Sequence, residues 1–207
     1  DINIRHSVTA LWLLSEESQD VDSRFIKKAF LAIYQRIDDF IEEKKVWNGD
    51  EFEHLTLSST INACNSLIDK TKDRAIEAKA VELKQKCELA LLDKCLEQDE
   101  LGYYYFKLPF NHSMSRFEYY LTYFTLSQVK YLLTDARIQS VVKRLLTNKI
   151  DSPAGKGIPI FPVDRYSSDE TILPDFGTSG SLLSLLNYIL DNEIGSPEWL
   201  RFCKTHF

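Results

Sequence analysis

Residues 22–45, DSRFIKKAFLAIYQRIDDFIEEKK, repeat apolar side chains with the period of a helix. Phe25, Ile26, Ala29, Phe30, Ile33, Ile37, Phe40 and Ile41 fall on one face and charged residues take the other. Asp22 stands at the N-cap position, where a carboxylate accepts from the first free amides. An amphipathic stripe of this length needs other helices to cover it, so the reading starts from an all-α fold.

The same pattern extends to both sides. Upstream, IRHSVTALWLLS (4–15) places Ile4, Val8, Leu11 and Trp12 on one stripe and stops in the polar run 15–22. Downstream, WNGDEFE (47–53) is turn chemistry around Asn48-Gly49, and LTLSSTINACNSLI (55–68) is a helix rich in small and hydroxyl residues. Residues 73–98 predict an outer helix with Ala78, Val81, Leu83, Cys87, Leu91, Leu92 and Cys95 apolar. The aromatic stretch LGYYYFKLPFN (101–111) reads as extended. Ser115 and Glu118 form a capping box that opens a helix running to Leu133. Asp135 caps ARIQSVVKRLLTN (136–148), which turns Ile138, Val141, Val142, Leu145 and Leu146 inward. Residues 151–174 hold four of the six prolines and two of the seven glycines, the composition of a long irregular loop. Gly177 to Gly180 open the next helix, and Ser196-Pro197 start a final one with proline at its first position.

Shorter helices with small or polar openings thus recur near residues 4, 55, 115 and 175, a period of roughly 60 residues. The expected architecture is all-α: antiparallel helical hairpins at about 3–46, 54–99, 115–149 and 175–207, with the loop 151–174, in one domain over 1–207. They form part of an α/α-toroid or a solenoid. A start at Asp1 rather than Met points to a piece of a larger protein.

Composition bounds what this fold can do. The 207 residues are 44% apolar, 12% aromatic and 27% charged, and the net charge is −6. That excludes collagen, low-complexity disorder and a disulfide-dense miniprotein. No apolar run is long enough to span a membrane. The basic residues are scattered, with none of the concentrated positive face that nucleic acid requires, so neither membrane nor nucleic acid is an expected partner. Cys64, Cys87, Cys95 and Cys203 lie mostly in apolar helical patterns and read as buried thiols of a reducing compartment, the cytoplasm.

Leu173-Pro-Asp-Phe-Gly-Thr-Ser-Gly180 followed by SLLSLLNYIL resembles the glycine-rich starts of inner helices in α/α-toroid proteins, notably lanthionine cyclases. Arg5-His6-Ser7-Val8-Thr9-Ala10-Leu11 is similar to repeats of the terpene-cyclase and protein-prenyltransferase superfamily. The resemblance implies hairpins arranged around a central axis. The Cys-Gly and Cys-His-Gly motifs of the cyclase zinc site and the D-x-D-D acid motif of one terpene-cyclase class have no counterpart here, and four hairpins are fewer than a closed six-hairpin toroid needs.

Other motifs have simpler readings. Asp38, Asp39, Glu42 and Glu43 superficially resemble a diphosphate-binding acidic motif but lack a facing cluster, and read as a solvated face balanced by Lys44 and Lys45. Asp175-Phe176-Gly177 lacks every other kinase element. Gly155-Lys156-Gly157 lacks phosphate-loop spacing and reads as turn punctuation. Cys203 and His206 form an isolated C-x-x-H, so no metal and no cofactor is expected.

If the short helices run the same way, their polar openings gather on one rim, where free amides and the helix dipole favour a carboxylate. Thr9, Ser59, Thr60, Thr178, Ser179 and Gly180 are its ligand- or partner-binding candidates. Tyr104 and Phe161, from the two extended segments, are candidates for an aromatic docking surface. With no nucleophile beside a positioned base, the expected function is a non-enzymatic interaction or ligand-sensing module. It would hold a protein partner or the remainder of its own parent chain. The alternative is a toroid enzyme using His6, Arg5, Glu118 and Asp175 for acid–base work.

Overall fold

Ser23, one residue beyond the expected Asp22, accepts the hydrogen bond that starts the long helix: its side chain takes the Ile26 amide, and the helix runs Arg24–Ile41. Asp22 is spent elsewhere, as described below. The computed structural model describes residues 4–18, 20–42, 53–107, 118–152, 155–159 and 173–206. They contain α1 (Ile4–Glu17), α2 (Arg24–Ile41), α3 (Glu53–Lys70), α4 (Arg74–Asp93), β1 (Leu96–Gln98) and β2 (Tyr104–Phe106). There follow α5 (Glu118–Gln128), a 3₁₀ helix (Lys130–Thr134), α6 (Ala136–Thr147), β3 (Ile150–Ser152), β4 (Gly155–Gly157), α7 (Phe176–Asp191) and α8 (Pro197–His206). The described chain is mostly helical and all-α in class, and it divides into two compact units, Asp1–Leu96 and Glu97–Phe207.

In the first unit, two antiparallel hairpins lie side by side with like ends together. At one end the Lys70 ammonium, from the last turn of α3, donates to the Ser15 carbonyl (2.9 Å) and to that of Glu16. Those carbonyls belong to the last turn of α1 and have no partner within their own helix. A cation there also meets the negative end of the helix dipole. Lys94, just past α4, does the same for α2 through the Ile41 carbonyl (2.7 Å). The turns join in parallel fashion. Asp22 Oδ1 accepts from the Thr71 hydroxyl (2.5 Å) and Oδ2 from the Lys72 amide (2.9 Å), while Lys27 bridges to Asp73 (2.7 Å). Hence α1 runs parallel to α3, and α2 to α4.

Ile4, Val8 and Leu11 of α1, Ile26, Phe30, Ile33 and Ile37 of α2, and Leu83, Cys87 and Leu91 of α4 are buried. Residues 54–61 of α3 are buried on every side. Two of its hydroxyls tolerate this because they bond to their own helix: Ser58 Oγ donates to the Leu55 carbonyl (3.1 Å) and Thr60 Oγ1 to the Thr56 carbonyl (2.7 Å). Three expectations change here. Phe25 is 68% exposed rather than inward. Trp12 leaves the α1 stripe to Ser15, which is buried and donates to the Leu11 carbonyl. The α4 stripe is Ile76, Ala80, Leu83, Cys87, Ala90 and Leu91, and the helix ends at Asp93, with 96–98 becoming a strand.

In the second unit, β1 pairs with β2 around a turn held by Asp99, whose Oδ1 accepts from the Leu101 and Tyr103 amides. This hairpin lies on α6, where the Arg144 guanidinium donates to Asp99 Oδ2 (2.9 Å) and sits 4.8 Å from the Tyr105 ring centroid. All five residues expected inward on α6 are buried, and Asp135 caps it through the Arg137 amide. Within the expected loop 151–174, β3 and β4 pair antiparallel, Asp151 opposite Lys156, so Gly155-Lys156-Gly157 is a strand and not a turn. The chain then passes close over the start of α7. A Cβ at Gly157 would come within 2.7 Å of Pro174 Cβ and Ser179 Oγ. The α7–α8 turn uses Gly195 at φ +101, and α8 opens at Pro197 with Ser196 Oγ accepting the Trp199 amide.

Candidate functional site

The parallel course of α1 and α3 puts Arg5, His6 and Thr9 at the same end of the first unit as Ser59 and Thr60. Ser59 and Thr60 are buried, Arg5 and Thr9 are half-buried and His6 is exposed. The hydroxyl-rich opening of α3 is therefore packing surface, turned away from solvent. The residue that stands out beside it is His54, which lies on the same helical stripe as Leu57 and Ile61. The i, i+3, i+7 spacing of 54, 57 and 61 is the sequence signal that marks it as inward-facing. Its imidazole is fully buried, and desolvation pushes its pKa down to about 3, so it is neutral at physiological pH.

In the second unit, Asp175 N-caps α7 by accepting the Thr178 amide (2.5 Å), and its own amide donates to the Ile158 carbonyl (2.9 Å). Ser179 Oγ accepts the Ile158 amide at 2.9 Å. Thr178 is buried, and Gly180 is exposed with open space around it. Tyr104 sits half-buried in β2, its amide donating to Ser140 Oγ (3.1 Å). Glu118 is the first residue of α5. Phe161 and the Ser115 cap lie outside the described residues. Of the four acid–base candidates, Arg5 and His6 belong to the first unit and Glu118 and Asp175 to the second.

Two further places have the geometry of a binding surface. One is a cavity of about 80 Å³ in the second unit, lined by residues of α6, β4, α7 and α8 together with Lys149 and Ile158. Ser179 is the one sequence candidate in its wall. His206 is there too, with Nδ1 2.9 Å from the Phe202 carbonyl and its ring stacked on Phe202 at 4.1 Å. The ring nitrogen of the C-x-x-H pair is thus already engaged. Among the described residues no group of three or more His, Cys, Asp or Glu side chains could hold a metal ion.

The other is the outward side of α2. Arg24, Phe25, Lys28, Leu31, Ala32, Gln35 and Arg36 are all exposed at helical spacing, Phe25 by 68% and Leu31 by 42%. The stripe carries Arg24, Lys28 and Arg36, and Asp39 follows at its end, accepting from the Gln35 side-chain amide (3.0 Å). At the turn end of the same hairpin, α1 exposes Leu13 and Leu14.

The four cysteines are free and buried. Burial pushes the Cys64 thiol up to about 12 and that of Cys203 to about 11, and raises Cys87 as well, so none of these three is an activated nucleophile. No helix among the described residues is long and apolar enough to cross a membrane. Comparison of the chain with protein-family models, curated proteins and solved structures finds no match.

Proposed function

We propose that this chain is a non-catalytic, cytoplasmic helical-hairpin module that docks an acidic amphipathic helix of a protein partner on the outward side of α2. The observation that carries this reading is Phe25, two-thirds exposed on the same outward side as Leu31 and flanked by Arg24 and Lys28. An apolar anchor flanked by Arg24 and Lys28 suits a helix with leucines on one face and carboxylates around them. The cationic stripe is also contrary in sign to the chain, which carries a net −6.

The architecture in this reading is a stack of hairpins of the α/α-toroid kind. Two lysine clasps support it within the first unit: Lys70 reaches back 55 residues to Ser15, and Lys94 reaches back 53 to Ile41. Four buried, free thiols support a reducing compartment.

The test is fluorescence anisotropy with two labelled synthetic peptides of one leucine pattern, one filled with glutamate and one with lysine. The expected result is micromolar binding of the acidic peptide, weakening with salt. Phe25→Glu should cost at least about tenfold, since the buried area of a phenylalanine is worth roughly 1.5–3 kcal/mol. Equal binding of both peptides, or undiminished binding to the Phe25→Glu variant, refutes the reading.

A further inference from the structure

We propose that the cavity in the second unit is a binding site for a short-chain aliphatic carboxylate of four or five carbons. The interior is hydrocarbon: Leu146, Ile158, Leu182 and Leu186 are all buried and line it. The cavity holds about 80 Å³. A dry apolar cavity of about 150 Å³ accommodates six-carbon benzene, so roughly three carbons fit inside here and the head group stays at the mouth.

Charge selects the head group. The side chains around the cavity include Lys149 and Lys156 and no aspartate or glutamate. Lys149 donates to a neutral acceptor, the His206 carbonyl (2.9 Å), so its positive charge is held in place without being cancelled. Lys156 pairs with Asp151 at 3.3 Å, but both side chains are about 70% exposed, and an ion pair in that setting is screened and easily exchanged. Ser179, the one hydroxyl in the wall, is already bonded to the Ile158 backbone. Besides the His206 ring, whose Nδ1 is held at the Phe202 carbonyl, the side chains left to meet a head group are the two ammoniums, which favours a carboxylate over an alcohol. The apolar interior in turn favours a carboxylate with a tail over a bare inorganic anion. The wall is also tight, for the backbone at Gly157 has no room for a side chain against Pro174 and Ser179. The volume of about 80 Å³ sets the upper limit on tail length.

The experiment is methyl-detected NMR of the full chain, ¹³C-labelled at leucine and isoleucine. It is titrated separately with sodium pentanoate, pentanol, pentylammonium and sodium octanoate. Saturable shifts of the Ile158, Leu182 and Leu186 methyls with pentanoate are expected in the millimolar range. Pentanol should bind about fivefold more weakly, pentylammonium should leave these methyls unmoved, and octanoate should bind less well than pentanoate. Lys149→Met and Lys156→Met are surface changes that keep the fold, and each should weaken pentanoate about fivefold, the worth of one ammonium about 4 Å from the carboxylate in water. Pentanol binding as tightly as pentanoate overturns the proposal. So do shifts that never saturate or fall on other methyls, and lysine variants with unchanged affinity.

Discussion

Acidification should unfold the first unit through His54, and the size of the effect follows from its burial. The imidazole has a pKa of about 3 in the folded chain, against an ordinary value of 6.5. Between those values the unfolded chain binds a proton that the folded chain refuses, so stability rises with pH across this window. The stabilisation is fully present above about pH 6.5, and it is lost as pH falls towards 3. At pH 5 the unfolded state gains RT ln(1 + 10^1.5), about 2 kcal/mol. With a urea slope of roughly 1–3 kcal/mol per molar, that is a midpoint lowered by about 1 M. The assay is hydrogen exchange in urea, followed by mass spectrometry on peptides from 55–67, at pH 7.5 and pH 5.0. Comparing the native chain with His54→Gln and His54→Phe cancels every other group that titrates in the same range. The native chain should lose about 2 kcal/mol more than either variant on acidification. An equal loss in all three would mean that His54 is hydrated or takes up its proton in place, and the argument from burial fails.

Three further outcomes follow from the same structure. Arg144→Leu leaves Asp99 without its cation and removes the guanidinium from the Tyr105 face; it should destabilise the second unit by about 3 kcal/mol in urea melts. Gly157→Ala should cost about 1–3 kcal/mol, because the new methyl meets Pro174 and Ser179, whereas Gly180→Ala, in an open helical position, should gain up to about 1 kcal/mol. Native-state labelling with a disulfide reagent at pH 8 should be slow at every cysteine, with Cys64 on the order of a thousandfold slower than a free thiol. In rising urea, Cys64, Cys87 and Cys95 should become reactive together and Cys203 with the second unit. A single transition for all four would show the two units unfolding as one.

What the sequence made legible is what depends on the chain's near neighbours. The inward residues of α6, the Asp135 cap and the Ser196-Pro197 start of α8 were readable because period and capping act within a turn or two. The losses share a different cause. Helical periodicity admits both Phe25 and Ile26 to the α2 stripe, and the positions of α1 and α4 decide that Ile26 enters the core while Phe25 faces out. Asp22 looks like a cap until Thr71 and Lys72 claim both its oxygens. Helix-forming residues continue to 98, yet the pairing of β1 with β2 ends α4 at Asp93. Ser179 was picked out as a helix-opening residue, and its work is to clasp Ile158, 21 residues away. Lys70 and Lys94 drew no notice as helix-ending lysines, because the carbonyls they satisfy lie more than 50 residues back. These residues are thus polar groups whose partners are distant in sequence, or apolar ones whose cover is, whereas Ser15 bonds within its own helix to Leu11. For an all-α chain this has a direct consequence. Local pattern identifies the rods, while the surfaces open to a partner are those that remain uncovered once the rods are placed, such as the outer stripe of α2.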